Sequence, residues 1–124
     1  MKPSLLVICL LAAPAAVAAQ DPVTVDATHY KVAYEDPTIR VLRVTYGPHE
    51  KSVMHEHPYG TCAIFLSASH GQFTGPDGKV TPADSKAGDV TCQPMKPGTE
   101  KHLPANLGDK PMEVIVIERK APKP

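Results

Sequence analysis

The chain has no excess of charge of either sign: 13 Lys and Arg stand against 13 Asp and Glu, with no long run of one sign. That argues against nucleic acid as a partner, since a protein that holds phosphates carries a basic footprint. The small basic tail Arg119, Lys120 and Lys123 reads as a solvated terminus. Also missing, outside the first residues, is any sustained apolar stripe at i, i+3, i+4, i+7, so helix content is expected to be low. No internal repeat, low-complexity tract or interdomain linker divides the chain. Cysteine is scarce, with three in 124 residues. Proline and glycine are plentiful instead, 14 and 8, and they punctuate the whole length.

The long apolar run is confined to the start. Met1-Lys2-Pro3 leads into Ser4–Ala13 and then the small residues Ala15, Ala16, Val17, Ala18 and Ala19 before Gln20-Asp21-Pro22. This is the layout of a secretory signal peptide over residues 1–19, with cleavage expected after Ala19. The run is too short to span a bilayer, and Cys9 lies inside it, where it does not read as an acylation site. The expected product is one domain over residues 20–124, periplasmic or secreted, with no membrane association after leader removal. Cys62 and Cys92 would then meet an oxidising compartment and are candidates for a disulfide. In the loop-entropy model such a closure contributes about 3.7 kcal/mol.

Short β-branched runs predict strands at Val23–Val25, Tyr30–Tyr34, Ile39–Tyr46, Cys62–Ser67, Lys79–Thr81, Asp89–Cys92 and Met112–Glu118. Their spacing points to an all-β sandwich or barrel. In Ile39–Tyr46, Leu42, Val44 and Tyr46 share a face, with Arg40 the exception on it. Val114–Ile117 is apolar on both faces, as expected of a central strand covered on both sides. Glu35-Asp36-Pro37, Gly47-Pro48, Lys86–Asp89 and Leu107–Pro111 read as turns, and Gly75-Pro76-Asp77-Gly78 as a hairpin connection. Ile64, Phe65, Leu66, Val90, Val114 and Val116 are expected in the core.

His55-Glu56-His57 carries the chemistry. Histidines at i, i+2 share one face of an extended strand while Glu56 faces away. A mononuclear site needs at least three converging side chains, so another strand must supply the rest. His102, with Asn106 four residues on, is the best placed candidate. His29, His49 and His70 lie near strand ends or turns and read as solvated or packing residues. Tyr59 is read as a loop aromatic, with a position at the barrel mouth as the alternative. Asn106 is expected to form a turn before Gly108, and Met54, Met95 and Met112 to fill gaps rather than bind copper.

These residues resemble the two motifs of the cupin superfamily over roughly Tyr30–Glu118. Gly47, His55, His57 and Gly71 answer four positions of the first motif, and Gly88, Pro94, Gly98, His102 and Asn106 those of the second. Three residues separate Pro94 from Gly98 and three separate Gly98 from His102, where the family more usually has one and two. Where the first motif carries a glutamate, this chain has Thr61 and Cys62.

The resemblance implies a cupin-type double-stranded β-helix, that is, a jelly-roll barrel. It also implies a divalent transition metal (Fe, Mn, Zn, Ni or Cu) on His55, His57 and His102, a small-molecule ligand or substrate, and pairing as a homodimer. Three neutral imidazoles would leave the ion its full charge and an open position. Dioxygenase-like or isomerase-like chemistry on a small organic acid or thiol is one expectation. A non-catalytic ligand- or metal-binding module lacking the family glutamate is the other. Cys62 stands open as a fourth ligand, a disulfide partner of Cys92 or a buried thiol. No catalytic side chain is assigned.

Overall fold

Eight strands and one short helix make up the described residues, 20–94 and 101–121, of the computed structural model. The expected leader, residues 1–19, and the Met95, Pro97 and Gly98 positions of the stretched second motif lie outside them. The helix α1, Pro22–Val25, replaces an expected strand. The Asp21 side chain accepts from the Val23 N–H at 3.2 Å, and proline in the first turn comes with its φ already helical. Local capping thus outweighs the β preference of Val23 and Val25.

The strands are β1 (Tyr30–Glu35), β2 (Ile39–Tyr46), β3 (Gly60–Phe65), β4 (Gly71–Thr74), β5 (Val80–Pro82), β6 (Val90–Gln93), β7 (Leu103–Asn106) and β8 (Met112–Arg119). They form an antiparallel sheet in the order β1-β2-β8-β3-β6 and a smaller one in the order β5-β4-β7. Residues 51–55 extend the smaller sheet beyond β7 through paired bridges at Lys51–Ala105 and His55–His102. Residues of both sheets line one cavity of about 350 Å³, so the sheets face each other as the walls of a jelly roll.

Alternation on β2 and β8 builds the core. Leu42, Val44 and Tyr46 point inward against Met112, Val114 and Val116, with Tyr30 beside them. Burying one such side chain contributes roughly 1.5–3 kcal/mol, so Leu42, fully buried, anchors the sheet. β8 is central, as its apolar run predicts, but Ile115 and Ile117 on its outer face are only half-buried. Three expected core residues also lie outward. Ile64 is half-buried, Leu66 is 45% exposed and Val90, on the edge strand β6, is 61% exposed. All four residues of the edge strand β6 are exposed, those that line the cavity included.

Neither β4 nor β7 follows from residue preference. β4 starts at Gly71, where a Cβ would meet the carbonyl oxygens of Ala105 at 3.1 Å and Ala83 at 3.2 Å. A side chain there would press on two neighbouring backbones, which glycine spares. The turn before β6 uses Gly88 at φ 89°, in the left-handed region. Asn106 takes its expected turn role: it accepts from the Gly108 N–H at 3.0 Å and donates to the carbonyls of Gly47 and Lys110.

Candidate metal centre

The structure brings His55, His57 and His102 together, with one ring nitrogen of each lying within 4.8 Å of the others. Two features place them. His55 and His57 are two apart on an extended segment, and His55 and His102 exchange both backbone hydrogen bonds at 2.9 Å. Directly opposed residues of an antiparallel pair present their side chains to the same face. Ring centroids stand 4.7 to 5.5 Å apart across the three pairs.

Each first-motif imidazole has its Nδ1 occupied on the outer side. The His55 Nδ1–H donates to the Val53 carbonyl at 2.9 Å, with the Ser52 hydroxyl oxygen at 3.2 Å. Its Nε2 is buried with no hydrogen-bond partner. A buried unsatisfied acceptor is costly, and here it is aimed where an ion would sit. Burial pushes the His55 pKa down to about 4, with the neighbouring His57 adding to the fall, so the ring is neutral at pH 7 and its Nε2 lone pair is available. The donor set therefore fits a divalent transition metal, whose bonds to imidazole are about 2.1 Å long, after small side-chain movements.

His57 Nδ1 donates to Oε1 of Glu118 at 2.7 Å. Glu118 is fully buried, and its other oxygen accepts from Arg40 Nε. Arg40 in turn forms a two-pronged pair with Asp21 at 2.8 and 2.9 Å. The carboxylate absent from the first motif thus has a counterpart on the last strand, behind His57 rather than within the three-histidine cluster. Sequence reasoning did not name Glu118, yet two signals pointed to it. Arg40 on a buried face demands an opposite charge, and residue 118 continues the inward register of Met112, Val114 and Val116.

Cys62 takes no part in the cluster. Its neighbours Thr61 and Ala63 line the cavity, so Cys62 faces outward, where it lies opposite Cys92 with the Cα atoms 4.0 Å apart and is joined to it in a disulfide. The fourth-ligand and free-thiol alternatives fall with that bond.

Of the remaining histidines, His49 and His70 are exposed and pair with Asp109 and Asp84. His29 stacks on Tyr46 and lies between Asp26 and Glu50. Tyr59 is a cavity residue rather than an exposed loop aromatic, its ring within 5.3 Å of the Arg40 guanidinium carbon and 5.9 Å of Lys120 Nζ. Tyr30, Tyr46 and Phe73 add to the lining. Tyr46 donates to the Tyr30 hydroxyl at 2.8 Å, and burial raises both phenols well above their ordinary range, so both remain protonated at neutral pH.

No protein-family model matches the chain, and a search of curated proteins returns no relative. Solved structures do resemble it. A cupin domain from Bordetella pertussis Tohama I superposes with a TM-score of 0.67 at 17% identity, over 74% of this chain and 92% of that one. A cupin family protein with a double-stranded β-helix fold from Methanocaldococcus jannaschii gives 0.59 at 16% identity, over 73% and 77%. A polyketide cyclase, RemF from Streptomyces resistomycificus, gives 0.57 at 14% identity, over 77% and 66%. At such identities the likeness speaks to architecture alone, and the architecture of this chain is the cupin double-stranded β-helix.

Proposed function

We propose that the protein is an exported barrel that holds one divalent transition metal on His55, His57 and His102 and acts on a small molecule in the adjoining cavity. The observation that carries this reading is the buried, partnerless His55 Nε2 within a three-nitrogen cluster. A bound ion would supply Lewis acidity, polarising an oxygen or sulfur donor of the ligand at its open position.

The chain's own residues do the rest. The apolar residues Val44, Phe65, Phe73, Val114 and Val116 line the cavity. The phenols of Tyr30 and Tyr46 offer protonated hydroxyls beside the histidines. Tyr59 closes the lining under its two cations. Enolic acids and thiols, whose donor atoms bind such ions, are the substrates to try first, with oxygenase-like or isomerase-like outcomes. Export rests on the leader pattern of residues 1–19 and agrees with a disulfide, a bond of oxidising compartments. The half-exposed outer row of Val41, Ile115 and Ile117 gives a second copy of the chain an apolar face to pack on.

Elemental analysis of protein purified without chelator tests the metal. About one ion per chain is expected, kept in Cys62→Ser and lost in His57→Ala. Wild-type protein that takes up none of iron, manganese, zinc, nickel or copper overturns the reading. N-terminal sequencing of protein from the periplasmic or culture fraction should begin at Gln20.

A further inference from the structure

The segment Gln20–Asp26 is tied to the His55–His57 stretch at three points. The Gln20 carbonyl accepts from the N–H of Glu56, the residue between the two histidines, at 3.1 Å. Asp21 grips Arg40, which holds Glu118, which receives the His57 Nδ1–H. Asp26, 8% exposed, accepts from the Ser52 hydroxyl, and Ser52 Oγ lies 3.2 Å from His55 Nδ1. Asp21 and Asp26 are also the capping residues of α1, Asp21 through its carboxylate and Asp26 through its backbone N–H, so a single helical turn sets their spacing.

These contacts decide where the imidazole protons sit. A serine hydroxyl has one proton, and Asp26 takes it, so Ser52 Oγ joins the Val53 carbonyl in accepting from His55 Nδ1 instead of competing with it. That puts the His55 proton on Nδ1 and leaves the Nε2 lone pair facing inward. At His57, Glu118 is engaged by Arg40 and accepts the Nδ1 proton, with the same result. Asp21 and Asp26 thus end two separate chains of hydrogen bonds, one per histidine.

We propose that Gln20–Asp26 is a brace built into the metal centre, in which Asp21 and Asp26 are positioning residues. Through Arg40–Glu118 and through Ser52, they hold His57 and His55 in the Nδ1–H tautomer with Nε2 toward the ion. The consequence for affinity rests on the proposed metal function; the consequence for the tautomers does not. Partners that orient a ligand histidine are typically worth about 10- to 100-fold in metal affinity.

Long-range 1H–15N NMR of the metal-free protein reads the tautomers directly. Wild-type His55 and His57 should each show a protonated Nδ1 and an unprotonated Nε2. In Asp26→Ala the Ser52 proton is free to turn onto His55 Nδ1 in competition with the Val53 carbonyl, and an Nε2–H fraction should appear at His55 alone. In Glu118→Gln the amide can donate to His57 Nδ1, and the same change should appear at His57 alone. Asp21→Ala, acting through Arg40, should broaden His57 and leave His55 sharp. Zinc titration should show roughly 10-fold or greater weakening in all three, and none in Thr24→Ala on the exposed side of α1. Variants that melt earlier yet keep both tautomers and full zinc affinity would reduce the segment to a structural strap and overturn the proposal. Shifted tautomers in a protein that takes no zinc would instead sink the metal function and leave the brace standing.

Discussion

His55 and His57 are held from behind by buried side chains, whereas His102 is placed by backbone pairing. The first two have their outer nitrogens fixed by Val53, Ser52 and Glu118. His102 exchanges its main-chain hydrogen bonds with His55, leads directly into β7, and packs its ring 5.3 Å from Phe73. Buried charge bears on the first side, and strand register brings the other opposite it. The two sides should therefore answer to different perturbations.

The largest effect is expected where the buried charges meet. Arg40→Ala removes the cation that joins Glu118 to Asp21, leaving Glu118 fully buried against His57 without that counter-charge. Breaking such a pair costs roughly 3–5 kcal/mol. Urea unfolding should show this loss, and metal affinity should fall with it. Hydrogen exchange should then quicken at residues 55–57 and spare the β4–β7 ladder. Equal loosening of β7 would mean that the two sides are not separately supported.

The opposite side is reached through the disulfide. β6 pairs only with β3 among the described strands, and the chain runs on from it toward His102. The double variant Cys62→Ser/Cys92→Ser should lose about 3.7 kcal/mol if loop entropy governs. Amides of β6 should exchange faster while that of Glu56, bonded to the Gln20 carbonyl, keeps its protection. A variant of unchanged stability would show that the β3–β6 ladder suffices without the bond.

Spacing made the three histidines legible because ligands on strands obey a period of two and a register that motifs preserve. What supports them was hidden for a physical reason. Glu118 lies 61 residues from His57, and nothing local in the sequence couples them. Only the charge of Arg40 on an otherwise apolar face signalled that a buried partner must exist. β2 was readable to the residue from its alternation, while β4 and β7 were not. Their glycine and proline report close backbone approach and a missing donor rather than strand preference. Val90 read as core because its side chain is apolar, but residue type does not reveal which strand of a sheet is its edge.

Acid separates the two sides most simply. The His55 pKa is lowered by burial to about 4, below the ordinary histidine value of 6.5, so in metal-free protein the unfolded chain binds a proton that the folded chain refuses. Stability from this group is fully present above pH 6.5 and is lost as pH falls toward 4, because there the unfolded state holds more protons. The loss should be on the order of 3 kcal/mol, followed by chemical denaturation at fixed ionic strength. His55→Gln should flatten that stretch of the pH profile. Excess zinc should restore stability near pH 6 and progressively fail below it, as protons compete for the same Nε2. A wild-type profile that is already flat between pH 6.5 and 4 would mean that His55 is not held neutral by its burial, and the contrast between the two sides would then rest on geometry alone.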